Sequence, residues 1–277
     1  MNKNRWVNLE GAVNVRDLGG LPTDDGGETR FGRVLRSDNL QGLTAADVRR
    51  LVGELKLRHV VDLRSGAEVS LEGPGPLVSV PEVTIHHLTL FAEAGTFTDV
   101  EAAETEVTEA GAAGAAGVDG DLVLPWQNRA PEDFEHAGGF YMTYLRDRPD
   151  SVVRALRVLG GHEGEGAALV HCAAGKDRTG VVVALALTVA GVTREAVVDD
   201  YVRTGDRMSE ILARLRASPT YTQDLDGRPD DSHLPHGRMM ERFLSALDEG
   251  WGGPVGWLEA HGWTAADSAA LRARLRD

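Results

Sequence analysis

The sequence predicts an α/β protein built on a central, mostly parallel sheet, and three observations lead there. A short apolar run, Gly166 to Val170, precedes a polar, glycine-bearing stretch and a longer apolar run from Val181 to Ala190, which reads as buried strand, tight loop and buried helix. A second run, His59-Val60-Val61-Asp62-Leu63, has the length and composition of another buried strand. Around them lie stretches of helical spacing, and strands that alternate with helices pair in parallel with helices on both faces. At 277 residues the chain is at the upper end for one domain, so residues 1–277 are expected to form a single domain with an added helical C-terminus.

In chain order, Arg5 to Leu9 is short and apolar enough for an edge strand, and Asn14 to Gly20 reads as a loop ending in a Gly-Gly turn. Asp24-Asp25-Gly26-Gly27 is a turn between two short strands, the second at Arg33 to Arg36. Thr44-Ala45-Ala46-Asp47 has capping-box spacing and opens a helix to about Glu54. After the strand at 59–63 and a Pro-Gly-Pro turn at 74–76, Val83 to Leu90 is expected to be a further strand. Residues 92–124 differ sharply from the rest: they are rich in alanine and glycine, carry eight acidic side chains and contain no lysine or arginine. A mobile insertion is expected there, helical at most over about 99–110. Phe140-Tyr141-Met142-x-x-Leu145 and Val152-Val153-x-x-Leu156-x-x-Leu159 are core-facing helical stripes with Pro149 between them. Thr193 caps a helix running towards Thr204, and Met208 to Arg216 forms another. Ser218 to Pro235 is loop-like, and helices near Arg238 to Glu249 and after the capping box Thr264-Ala265-Ala266-Asp267 close the chain.

Composition narrows the function. The chain is 42% hydrophobic and 26% charged, as soluble globular proteins are. Its 29 basic against 43 acidic side chains give a net charge of -14, which argues against nucleic-acid binding and requires any anion site to make its positive potential locally. Met1 to Gly11 has no continuous apolar segment of the signal-peptide kind, and no run approaches transmembrane length. A single cysteine forms no intramolecular disulfide, so a reducing cytoplasm is the expected location. His233 and His236 lack a third ligand and are read as part of a solvated loop, with no metal expected.

The chemistry concentrates in His171-Cys172-Ala173-Ala174-Gly175-Lys176-Asp177-Arg178-Thr179-Gly180. This stretch lies at a helix N-terminus, where unpaired N–H groups and the helix dipole favour an anion, a thiolate included. Five residues separate Cys172 from Arg178, so a loop curled around one phosphate presents sulfur beneath phosphorus and a planar guanidinium beside the oxygens. Lys176 and the backbone N–H groups of residues 173 to 178 complete the cradle, and Thr179 is expected to donate a hydrogen bond to the sulfur. A nucleotide-type phosphate loop fails on spacing, because its first glycine and its hydroxyl residue are here Val170 and Asp177.

The Cys-x5-Arg loop resembles that of the protein tyrosine phosphatase superfamily, and the HCxxGKDRTG form is most similar to the atypical bacterial tyrosine phosphatases of dual or lipid specificity. The likeness extends to Asn14-Val15-Arg16-Asp17-Leu18-Gly19-Gly20, Val61-Asp62-Leu63-Arg64-Ser65 and Asp199-Asp200-Tyr201, with residues 92–124 the weakest part. It implies a tyrosine-phosphatase-like fold and hydrolysis of phosphotyrosine, with phosphoserine, phosphothreonine or phosphoinositides as further substrates. Cys172 attacks phosphorus, Arg178 and the loop hold the charge, and water cleaves the phosphocysteine, with no metal or other cofactor. Phosphorylated protein or phosphoinositide substrates are the partners it implies.

A carboxylic acid must protonate the leaving group. Asp62 is the first candidate, because it ends a strand on the same sheet edge and the resemblance places an acid there; pairing with Arg64 is its structural alternative. Asp177 is second, with anchoring of Lys176 as its alternative, and Asp199 and Asp200 are third. The resemblance also has Arg16 and Asp17 support the site from outside, an Arg-Asp pair that locks the N-terminal segment being the other reading. Lys176 resembles the loop lysine of 3-phosphoinositide phosphatases. In the family that the chain resembles an insertion such as 92–124 can be a lid over the active site; a disordered surface loop is the other reading. Two rivals share parts of the pattern: a rhodanese-type sulfurtransferase, disfavoured by the arginine and threonine that close the loop, and a non-catalytic phosphate-binding module.

Overall fold

The computed structural model describes residues 4–92, 139–225 and 229–276. Five strands form one sheet in the order β1-β2-β5-β3-β4: β1 (Arg16–Asp17), β2 (Val34–Ser37), β3 (Leu57–Asp62), β4 (Thr84–His87) and β5 (Ala167–His171). β2, β5, β3 and β4 run parallel, and only β1 pairs antiparallel, with β2. The expected α/β class and mostly parallel sheet are found.

Side-chain alternation along the strands splits the core into two. Val34, Val61, Ala168 and Val170 face one side, where α3 (Phe140–Asp147), α4 (Pro149–Leu159), α5 (Asp177–Val189), α6 (Arg194–Val202), α9 (Gly237–Trp251), α10 (Pro254–Ala260) and α11 (Ala265–Arg276) supply the larger apolar cluster. Leu35, Val60 and Leu169 face the other, packed by Leu51 and Leu77 near α1 (Ala45–Arg49) and the turn that follows α2 (Gly66–Glu72). A small third cluster joins α7 (Met208–Ala217) and α8 (Thr222–Leu225) to Ala173. β5 is central and buried at all five residues, which explains its unbroken apolar sequence.

Several boundaries differ from expectation. Residues 5–9 make only an isolated bridge, Trp6 to Arg16, and the pairing strand is Arg16–Asp17 inside the expected loop. The strand at 83–90 shortens to Thr84–His87, and α8 and a 3-10 turn at Asp230–His233 occupy part of the expected 218–235 loop. α10 begins directly after Gly252-Gly253, a pair that reads as a break, because Pro254 at the first helical position presets the backbone angle and has no N–H to lose. Both capping boxes form, at Thr44/Asp47 and Thr264/Asp267. Of the expected insertion, residues 93–124 lie outside the described residues. Among those described, no helix is long and apolar enough to cross a membrane.

Candidate active site

The carboxyl ends of β2, β5 and β3 align in register, Ser37 with His171 and His171 with Asp62. The Cys172–Lys176 loop leaves from this edge and enters α5, which opens at Asp177. Cys172 is buried at the base of the loop and is the chain's one thiol.

The loop's carbonyl oxygens are held from behind. Asn39 N–H donates to Ala173 O (2.9 Å), Asn14 Nδ2 to Ala174 O (3.0 Å) and Gly175 O (3.3 Å), and Arg36 Nη2 to Gly175 O (2.7 Å). In a planar trans peptide the next N–H points opposite to the carbonyl. Pinning these oxygens therefore turns the N–H groups of Ala174, Gly175 and Lys176 to the other side, and among the described residues they find no protein acceptor there. The result is a concave row of donors suited to an anion. Gly175 makes the turn possible: its φ is +66°, and a Cβ would lie 2.3 Å from Ser37 O. Gly175→Ala is expected to lower kcat about 100-fold, the cost of misplacing a binding group by an ångström, in a protein whose circular dichroism spectrum is unchanged; steady-state kinetics check it.

Behind the donors lies buried charge. Asp200 pairs with Arg5 (2.8 Å), Arg16 (3.3 Å) and Arg36 (2.6 Å), all nearly or fully buried, so three guanidinium groups share one carboxylate. Arg16 also donates to Asn14 Oδ1 (2.5 Å), Asp200 O (2.7 Å) and Thr204 Oγ1 (3.0 Å). Burial and Arg36 pull Arg16 down to about 9, still protonated at neutral pH. Burial opposes the ionisation of Asp200, but the arginines prevail and hold it well below the usual carboxylate range. The cluster keeps a net excess of positive charge directly under the loop, the local potential that a chain of net charge -14 requires. Asp17 sits apart from this cluster's carboxylate, accepting from Gly19 N and Gly32 N, so of the two readings of Arg16 and Asp17 the mutual pair is not formed, and Arg16 pairs with Asp200.

Arg178, in the first turn of α5, is fixed by Glu68: Nη1–Oε2 is 2.5 Å and Nη2–Oε1 2.9 Å, and Nη1 also donates to Leu63 O (3.3 Å). Glu68 is wholly buried and accepts from Ser65 N (2.7 Å) and from Tyr221 Oη (3.1 Å); burial opposes its charge, but Arg178, Ser65 N and Arg64 together hold its pKa below the ordinary value. Phe91 lies under the guanidinium, 5.1 Å from ring centroid to Cζ. Sequence reasoning missed Glu68. Its signal was present in Ser65-Gly66-Ala67-Glu68, a capping box directly after the Asp-Leu-Arg motif that fixes Glu68 in the first turn of α2.

Asp62 is at the expected strand end, but it chelates Arg64 through Nε (2.9 Å) and Nη2 (2.6 Å). Burial opposes its ionisation, yet His171 and Arg64 hold it well below the usual range. Arg64 is the lasting partner, because burial pushes His171 down to about 4 and leaves it neutral above that pH. The pairing with Arg64, the alternative reading of Asp62, is thus formed, and it favours the charged carboxylate. Asp200 is locked by its arginines, and Asp199 is exposed.

Asp177 is placed differently. Its Oδ1 accepts from Tyr141 Oη (2.6 Å), Tyr141 in turn meets Tyr201 Oη (2.6 Å), and Oδ2 lies 3.6 Å from Lys176 Nζ. Lys176 donates to His233 O (2.8 Å), so the stretch read as a solvated loop reaches back to the site. Thr179 Oγ1 is buried with no hydrogen-bond partner among the described residues, so the expected bond to Cys172 is not made. A cavity of about 250 Å³ opens beside Ala173, lined also by Asp38, Glu72, Arg214 and Tyr221, whereas the larger one, about 620 Å³ between α3, α9 and α10, touches no loop residue.

The His171 environment predicts a pH effect. Its pKa is about 4 when folded and ordinarily 6.5, so between these values the unfolded chain binds a proton that the folded chain refuses. Stability is complete above about pH 6.5 and is expected to fall by up to about 3 kcal/mol as pH drops towards 4; urea unfolding at pH 7 and pH 4.5 measures it.

Comparison with known proteins finds similar chains. Residues 7–277 match the model of a tyrosine phosphatase family. A triple specificity protein phosphatase, PtpB, of Mycobacterium tuberculosis is 30% identical over 279 residues, 95% of this chain and 96% of the relative. A tyrosine-protein phosphatase of Nostoc commune is 33% identical over 121 residues, 40% of each chain.

Proposed function

This chain belongs to the tyrosine phosphatase family and has that family's phosphatase activity, and from this premise we propose that it hydrolyses phosphotyrosine, with phosphoserine, phosphothreonine or phosphoinositides as further substrates, through a phosphocysteine intermediate. The observation that carries the mechanism is the loop itself: carbonyls pinned outward, N–H groups turned inward around one buried cysteine, and Arg178 fixed alongside by Glu68.

Cys172 Sγ attacks phosphorus, and the bond from phosphorus to the substrate oxygen breaks. Arg178 and the N–H groups of residues 173 to 178 hold the charge on the non-bridging oxygens. Asp177 gives its proton to the departing oxygen, since Asp62 and Asp200 are held ionised by arginine. Water then attacks phosphorus, the S–P bond breaks, Asp177 takes back a proton, and phosphate leaves. Asp62, Arg64 and His171 brace the strand end beside Cys172. Breadth of substrate is supported by Lys176 at the end of the loop and by the relative named for triple specificity. The single thiol suits the reducing cytoplasm, where we place the enzyme.

Hydrolysis of para-nitrophenyl phosphate is expected in the presence of EDTA, with inhibition by vanadate. Cys172→Ser is expected to abolish it, along with the acid-trapped phosphoenzyme. Persistent turnover by Cys172→Ser overturns the mechanism. Rates on matched phosphotyrosine, phosphoserine and phosphoinositide substrates test the specificity, and turnover of lipids alone would reject phosphotyrosine.

A further inference from the structure

Asp177 offers two carboxyl oxygens, and its surroundings treat them unequally. We propose that Tyr141, backed by Tyr201, is a positioning residue that assigns the transferable proton of Asp177 to Oδ2; this rests on the reading of Asp177 as the proton donor.

The hydrogen count carries the inference. Tyr141 Oη donates to Asp177 Oδ1 at 2.6 Å and lies 2.6 Å from Tyr201 Oη. Each tyrosine has one hydroxyl hydrogen. With that of Tyr141 given to Asp177, that of Tyr201 goes to Tyr141, and the chain is satisfied in one direction. A proton on Oδ1 would face the Tyr141 hydrogen and force it round towards Tyr201. The Tyr201 hydrogen would then lose its acceptor, because its described hydrogen bond is to Tyr141 alone, and a buried orphaned donor is unfavourable. A proton on Oδ2 leaves both tyrosine hydrogens in place and gives up only the 3.6 Å ion pair with Lys176, which is partly exposed. Oδ2 is also the oxygen beside Lys176 Nζ, on a side chain that is 33% exposed, whereas both tyrosines are buried.

The tyrosines are built to hold this setting. The Tyr141 ring meets Tyr201 and Phe243 edge-on, with centroids 6.2 and 6.0 Å away, and stacks on Tyr144 at 6.3 Å. Tyr201 also packs its ring against Gly180, whose Cβ position lies 3.0 Å from Cδ2. Burial, reinforced by Asp177, raises the pKa of the Tyr141 hydroxyl well above its ordinary value, so it remains a donor at any working pH.

The test is kcat across a series of aryl and alkyl phosphates spanning good and poor leaving groups, which respond unequally to loss of an acid. Tyr141→Phe is expected to lose about tenfold more on alkyl phosphates than on para-nitrophenyl phosphate, a fraction of a full general-acid effect, with KM nearly unchanged. The Tyr141→Phe/Tyr201→Phe pair, which leaves no orphaned hydroxyl, should show the same tilt. Adding Tyr141→Phe to Asp177→Asn should cost nothing further. An equal loss across all leaving groups, or none, in Tyr141→Phe and in the paired variant overturns the proposal while Asp177→Asn still tilts the series. No tilt in Asp177→Asn overturns the acid reading itself and the proposal with it.

Discussion

Glu68→Gln is expected to lower kcat by about 100- to 1000-fold, the range seen when one preorganised donor to transition-state charge is lost. Glutamine has nearly the same shape, so the effect isolates what the carboxylate does. Arg178 reaches both oxygens of Glu68, at 2.5 and 2.9 Å, which fixes the plane of its guanidinium before substrate arrives. An amide can accept one of those hydrogens, but its NH2 then faces the other guanidinium nitrogen, donor against donor. The plane turns, and two-oxygen recognition of phosphate is lost. Steady-state kinetics with para-nitrophenyl phosphate checks this, together with the thermal shift produced by inorganic phosphate, which should shrink in the variant. A kcat within threefold of the parent would mean that Arg178 is aimed by other contacts, Leu63 O and Phe91 among them.

The second large effect is on folding. Asp200→Asn removes the one carboxylate shared by Arg5, Arg16 and Arg36 and leaves three buried guanidinium groups facing one another. Breaking a buried pair from one side costs about 3–5 kcal/mol, and a carboxylate serving three partners belongs at the upper end. Urea denaturation should show the midpoint fall with the slope unchanged. Activity in the residual folded protein should fall too, because Arg36 holds Gly175 O at 2.7 Å and Arg16 holds Asn14, so the loop loses its backing when they relax.

What the sequence made legible follows from the reach of each interaction. Cys172, Gly175 and Arg178 lie within one turn of chain between an apolar strand and an apolar helix, so spacing alone implies an anion loop. Caps were legible for the same reason, their partners being three residues apart. Asp62 was placed on the right edge, but its chemistry is set by the Arg64 guanidinium two residues on, and the pairing alternative is the one found. Glu68, 110 positions before Arg178, and Tyr141, 36 before Asp177, act across the fold. Nothing in a linear pattern says which buried glutamate or tyrosine meets which loop residue; the sheet order and the packing of α2 and α3 decide it. Arg36 stands in the linear pattern only as the end of a strand, and its partner lies 164 positions away.

The arginine cluster has one more consequence, for ionic strength. Mobile ions screen charges at the surface within about 8 Å at physiological salt, but they do not enter a packed interior. The attraction that Arg5, Arg16 and Arg36 exert on a bound phosphate therefore persists at salt concentrations that silence the acidic exterior, and the affinity for phosphate should hold steady as the repulsion that slows an anionic substrate's approach fades.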